Sequence, residues 1–158
     1  MAEPKSKLKK PQYIVKEGLT MTRRNRIGLT FSGLDELATR IDQVGGDLKT
    51  TTERALKASF DYVTSNLETD INRHIDTGTT KRSLRKTPEI EWEGHTANIK
   101  VGFDIRHGGL PSIFLMYGTP RTKKDTKLYN DIYGNRTKQK IAEIQKEIFN
   151  DEIRRVMR

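Results

Sequence analysis

Residues 88–105, PEIEWEGHTANIKVGFDI, alternate apolar and polar side chains almost without a break. Ile90 and Trp92 interleave with Glu89, Glu91 and Glu93; beyond Gly94-His95, the residues Ala97, Ile99, Val101, Phe103 and Ile105 fall on one side. A period of two around a central glycine specifies a β-hairpin with one buried and one polar face. Such a hairpin needs a cover, and residues 48–75 supply it. There Leu56, Phe60, Val63, Leu67, Ile71 and Ile75 recur at spacings of three and four, while Asp61, Glu68, Asp70 and Arg73 keep the opposite face wet. Thr50 and Glu53 predict a capping box near the helix start. The helix laid on the hairpin makes a two-layer α+β domain.

Upstream, Ile27, Leu29 and Phe31 alternate as a short strand ended by Gly33. Leu34, Leu37, Ile41 and Val44 mark one face of a short helix stopped by Gly45-Gly46. The expected fold is therefore α+β: a small antiparallel sheet, strand plus β-hairpin, packed by a long helix. The chain divides into a basic N-terminal arm (1–25), an α+β core domain (26–117), a basic loop (118–136) and a C-terminal helix (137–158). In that last helix Ile141, Ile144, Ile148, Ile153 and Val156 lie near one face, with cations in the final turn.

Charge is concentrated. Of a formal net charge of +9, residues 1–26 contribute eight Lys/Arg against two acids, and residues 118–140 seven against two. The excess thus sits in the arm and the loop, not on a folded face. Segments of this kind bind polyanions, either nucleic acid or acidic protein surfaces, or simply solvate the chain. Arg23 and Arg24 in the arm, with Arg121, Lys123, Lys124 and Lys127 in the loop, are the candidates for such contact. Tyr117, Tyr129, Ile132 and Tyr133 stand in or beside that polar loop, which predicts a segment that orders against a partner.

Several chemistries have little support. The chain has no cysteine, which removes disulfides, thiolate zinc sites and a cysteine nucleophile. His74, His95 and His107 show no metal-ligand spacing. The three glutamates at 89, 91 and 93 invite comparison with a metal-dependent nuclease, but Lys100 is positioned to pair with them across the hairpin. No Ser-His-acid order stands out. No catalytic residue, cofactor or metal is expected, and the chain is not read as an enzyme. The cationic N-terminus is followed by no apolar stretch of signal-peptide type, and the longest apolar run, IFLMY at 113–117, is too short for a bilayer. A soluble intracellular protein without membrane contact is expected.

The stretch IDTGTTKRSL, residues 75–84, holds one glycine, several hydroxyls and adjacent cations. As a phosphate loop it has the wrong context, because it follows a helix and precedes a strand and lacks Lys-Ser/Thr at the right offset. Together with GLDEL at 33–37 and Tyr117-Gly118-Thr119, it resembles the neck, or tail-completion, proteins of long-tailed, lambda-like bacteriophages. The resemblance spans about residues 27–135 and is carried chiefly by Asp76-Thr77-Gly78, Arg82-Ser83-Leu84 and Tyr117-Gly118-Thr119. The chain departs from that family at His74-Ile75, where a proline is usual, at Met116, where a glutamate is usual, and at KKDTKLYNDIYG, which replaces a proline-rich stretch.

The resemblance implies a structural virion protein at the head–tail neck, assembled in the host cytoplasm as a homo-oligomeric ring of six or twelve copies. Its implied neighbours are a head-completion or connector protein and a tail terminator or tail tube protein, with non-specific contact to genomic DNA. Asp76 and Thr77 would then end the long helix, Gly78 would supply unusual backbone angles, and Lys81, Arg82 and Arg85 would sit on a rigid corner suited to subunit contacts. Tyr117, Gly118, Thr119, Tyr129 and Tyr133 complete the expected interface. The alternative is a small basic DNA-binding protein, although no helix-turn-helix, ribbon or zinc module is visible.

Overall fold

A computed structural model describes residues 26–30, 39, 43, 45–93 and 96–158. Strands β1 (Arg26–Thr30), β2 (Ile90–Glu93) and β3 (Thr96–Lys100) form an antiparallel sheet in the order β1-β3-β2. Ile90 and Ile27 both face Ile99 in register, and Trp92 and Leu29 both face Ala97. The period-two pattern is realised, with Ala97 and Ile99 fully buried. On the polar side Lys100 reaches Glu91 at 2.6 Å, the cross-strand pairing expected of the glutamate row.

Helix α1 (Leu48–Ile71) covers this sheet. Leu56, Phe60, Val63, Leu67 and Ile71 form its buried stripe. The α+β class expected from the pattern is the observed one. The capping box is not. Asp47 is the N-cap, its carboxylate accepting from the Thr50 N–H at 3.1 Å, while Glu53 accepts from the Trp92 indole at 3.3 Å. Glu53 ties helix to sheet instead of closing a box. Ile75 also leaves the stripe: after Ile71 the chain tightens into a 3-10 turn (Asn72–His74) and then extends, which leaves Ile75 52% exposed. Ile105 leaves the hairpin pattern likewise, since strand pairing stops at Lys100 and a 3-10 turn (Ile105–His107) follows.

The larger departure lies downstream. A single helical turn, α2 (Thr79–Arg82), is followed after the hairpin by helices α3 (Leu110–Tyr117), α4 (Thr126–Tyr133) and α5 (Asn135–Val156). Residues 118–136 are thus not a long loop, and only 118–125 and Gly134 lie outside helices. Asp125 caps α4 by accepting from the Lys127 and Leu128 N–H groups at 3.0 Å each, and Leu128 and Ile132 are fully buried. The apolar residues of this segment order against the chain's own core, where a partner was expected.

Helix α5 is also part of the core and not an appendage. It packs antiparallel along α1, with Gln145 donating to Ser59 at 3.2 Å and Arg54 meeting Glu152 at 3.3 Å. Its most buried seam is Thr137, Ile141, Gln145, Phe149 and Glu152, so Ile144, Ile148, Ile153 and Val156 flank the seam. Glu152 stays charged there: Arg155 donates two hydrogen bonds to it and holds its carboxyl below the usual range. No helix among the described residues is long and apolar enough to cross a membrane. The arm at 1–25, with Arg23 and Arg24, lies outside the described residues, as do Phe31–Gly33, His95 and most of the short helix expected at 34–44.

Candidate assembly surface

The Asp-Thr-Gly corner follows from its residue types. Ile75 is extended, Thr77 accepts from the Thr79 N–H at 3.3 Å, and Gly78 takes φ +76°, a left-handed angle that side chains rarely tolerate. Asp76 and Thr77 are exposed and open the turn as expected, but they do not end the long helix, which stops at Ile71 and passes through the 3-10 turn first. Arg82 folds back onto this turn, donating to the Thr77 carbonyl at 3.4 Å and to the Thr79 hydroxyl at 3.2 Å. The corner is then fixed to the hairpin. Arg85 N–H donates to the Gly102 carbonyl at 2.9 Å, Asp104 N–H to the Ser83 carbonyl at 2.8 Å, and Leu84 is buried against Phe103. Arg85 pairs with Asp104 at 3.5 Å. Two of the three corner cations are therefore engaged within the chain, and Lys81 remains at the rim.

Helix α3 packs beside this corner, with its polarity inverted. It buries Ser112, whose hydroxyl donates to the Gly109 carbonyl at 2.6 Å, together with Met116. Leu110, Ile113, Phe114 and Tyr117 face outward at 50%, 38%, 50% and 58% exposure. Their spacing of three, one and three places them on one stripe of the helix. Eight residues with no charge cannot bury both faces against a single core, so one apolar face is left to water. Ile75, Pro111 and Phe114 line a cleft of about 270 Å³ with Asp76 and Lys81, which joins the stripe to the corner. The sequence pattern pointed to the corner and to Tyr117 but missed Leu110, Ile113 and Phe114. The signal was available in LPSIFLMY, whose apolar residues surround its one polar residue.

Beyond the helix, Gly118 ends α3 at φ +76° and ψ 170°, and a Cβ there would meet the Lys124 nitrogen at 3.0 Å. Thr119 pairs with Thr122 across a tight turn that leaves Arg121 and Lys123 exposed. Tyr117 meets Tyr129 edge-on at 5.7 Å, and Tyr129 stacks at a tilt on Tyr133 at 5.0 Å. Burial, and a hydrogen bond with Tyr117, push the Tyr133 phenol well above its ordinary range, so it stays neutral. Lys124 sits 3.9 Å over the Tyr129 ring. Lys127 pairs with Asp70 at 2.8 Å. Of the four loop cations expected to meet a polyanion, Lys124 and Lys127 are thus engaged internally, and Arg121 and Lys123 are left facing solvent.

On another face, α1, α4 and the start of α5 enclose a polar cleft of about 900 Å³ lined by Asn66, Asp70, Lys127, Asn130, Asp131 and Arg136. Asp131 stands beside Asp70 there, and its Oδ2 is buried without a hydrogen-bond partner among the described residues. Burial, then the Asp70 carboxylate, push the Asp131 carboxyl up to about 7. Among the described residues no group of three or more His, Asp or Glu side chains is arranged to hold a metal ion. No protein-family model matches the chain, and no curated protein or solved structure is significantly similar to it.

Proposed function

We propose that this chain is a structural subunit at the head–tail junction of a long-tailed bacteriophage. It assembles into a ring of six or twelve copies that helps join the DNA-filled head to the tail. The reading begins from the resemblance carried by Asp76-Thr77-Gly78, Arg82-Ser83-Leu84 and Tyr117-Gly118-Thr119. The observation that carries it is the outward apolar stripe of α3 beside the Asp-Thr-Gly corner. Contiguous exposed apolar surface on a chain of which 32% is charged marks a place where another protein sits. In this role the subunit contacts a connector or head-completion protein on one side and a tail terminator or tube protein on the other. No reaction is catalysed.

The test is the lysate of a phage, or defective prophage, lacking only this gene. Electron micrographs are expected to show filled heads beside unattached tails of normal length. Joined virions in that lysate would contradict the role. The DNA-binding alternative is weakened by the internal engagement of Lys124 and Lys127, because each cation held within the chain is one fewer phosphate neutralised.

A further inference from the structure

We propose that the outward stripe of α3 is the contact between two copies of this chain, related by a two-fold axis that pairs Asp76 of each copy with Lys81 of the other. This deepens the assembly reading by naming the partner at that surface, and it rests on that reading only in taking the stripe as a docking face.

Area is the first support. Ile75, Leu110, Ile113, Phe114 and Tyr117 are each between 38% and 58% exposed. With roughly 150–200 Å² for a large side chain, they present on the order of 400 Å² of surface. A specific interface buries about 800 Å² per partner, with an apolar centre and a polar rim. The stripe has the size of such a centre.

Charge selects the occupant. Asp76 and Lys81 line the same cleft beside Phe114, and neither side chain makes a hydrogen bond or ion pair among the described residues. The field of Lys81 reaches Glu68, but Glu68 is already bonded by Lys86 at 2.7 Å. An acidic partner would set its charge against Asp76, and a basic partner would set its charge against Lys81. A second copy, turned about a two-fold axis, answers both, since in such contacts residue i meets j and j meets i. Because a two-fold pair closes on itself, a ring needs a separate contact, and twelve copies would be six such pairs.

Sedimentation equilibrium on the full chain tests this. The wild type is expected to be a monomer–dimer system, and Phe114→Glu to weaken the dimer by roughly 30-fold or more, as for a central anchor. Phe114 is half exposed, so at concentrations where the wild type is monomeric the variant should unfold at the wild-type temperature. Asp76→Lys and Lys81→Asp should each weaken the dimer, and the doubly exchanged variant should recover to within a few-fold of wild type. A wild type that stays monomeric at high micromolar concentration overturns the contact. So does association that grows beyond dimers through this face, or a double exchange no better than either single one. A dimer from a gene whose deletion leaves virions joined would remove the phage role and keep the contact; unattached tails with a monomeric chain would do the reverse.

Discussion

Phe149→Ala is expected to destabilise the whole domain by about 3–5 kcal/mol, the range for deleting a buried aromatic ring. Phe149 lies in the α5 seam between Gln145 and Glu152 and is 1% exposed. On either side of it along the seam, Gln145 bonds to Ser59 and Glu152 to Arg54, so both neighbouring turns are pinned to α1 and limit collapse into the vacated space. The loss should appear in urea unfolding followed by both far-ultraviolet dichroism and Trp92 fluorescence. Trp92 is on β2, on the other side of the core, so coincident curves mean that α5 and the sheet unfold as one unit. A variant whose sheet signal unfolds at the wild-type midpoint would show α5 to be a separable segment.

Asp131→Asn is expected to make stability less dependent on pH. In the folded chain Asp131 titrates near 7, against 3.8 for an ordinary aspartate, because it is partly buried and faces Asp70. Asp125 adds to that repulsion and Lys127 offsets part of it. The folded state therefore holds a proton that the unfolded chain has released, and stability falls as pH rises from about 4 through about 7. The difference between these two values corresponds to about 4 kcal/mol at most. Solvent screening of this partly buried group reduces the expected effect to about 1–2 kcal/mol. The asparagine variant should match the wild type near pH 4 and exceed it by that amount at pH 8 in urea unfolding. Equal stability differences at both pH values would mean that the pair does not share a proton.

The hairpin and its covering helix were legible because each carries a periodic signal, alternation over 89–93 and again over 96–101, and a five-member stripe over 56–71. The corner was legible from chemistry instead of period, since Asp-Thr-Gly states both a turn and a left-handed residue, although the helix itself stops earlier, at Ile71. Helix α4 was hidden for the opposite reason. Its eight residues hold only Leu128 and Ile132 as fully buried anchors, set among Lys, Asn and Asp in a strongly basic stretch. The cue that identifies it is local: Asp125 capping a turn, with Leu128 and Ile132 four residues apart. The α5 seam was not legible because isoleucines carry the apolar pattern of that helix, whereas Gln145 and Glu152 are buried through partners on α1 and in their own helix. Polar residues that satisfy one another across an interface leave no trace in a hydrophobicity pattern. The outward stripe of α3 was missed because a uniformly apolar octamer does not say which of its faces turns inward.

The proposed role at the head–tail junction requires the outward stripe of α3 to be an assembly surface. The most direct measurement is to complement a phage lacking this gene with the Phe114→Glu chain, confirm that the variant is folded and present at wild-type level, and image the lysate. Filled heads and unattached tails of normal length are expected, as in the deletion, while the wild-type chain restores joined virions. Joined virions from the Phe114→Glu chain would show that the exposed face of α3 is not where the assembly is made.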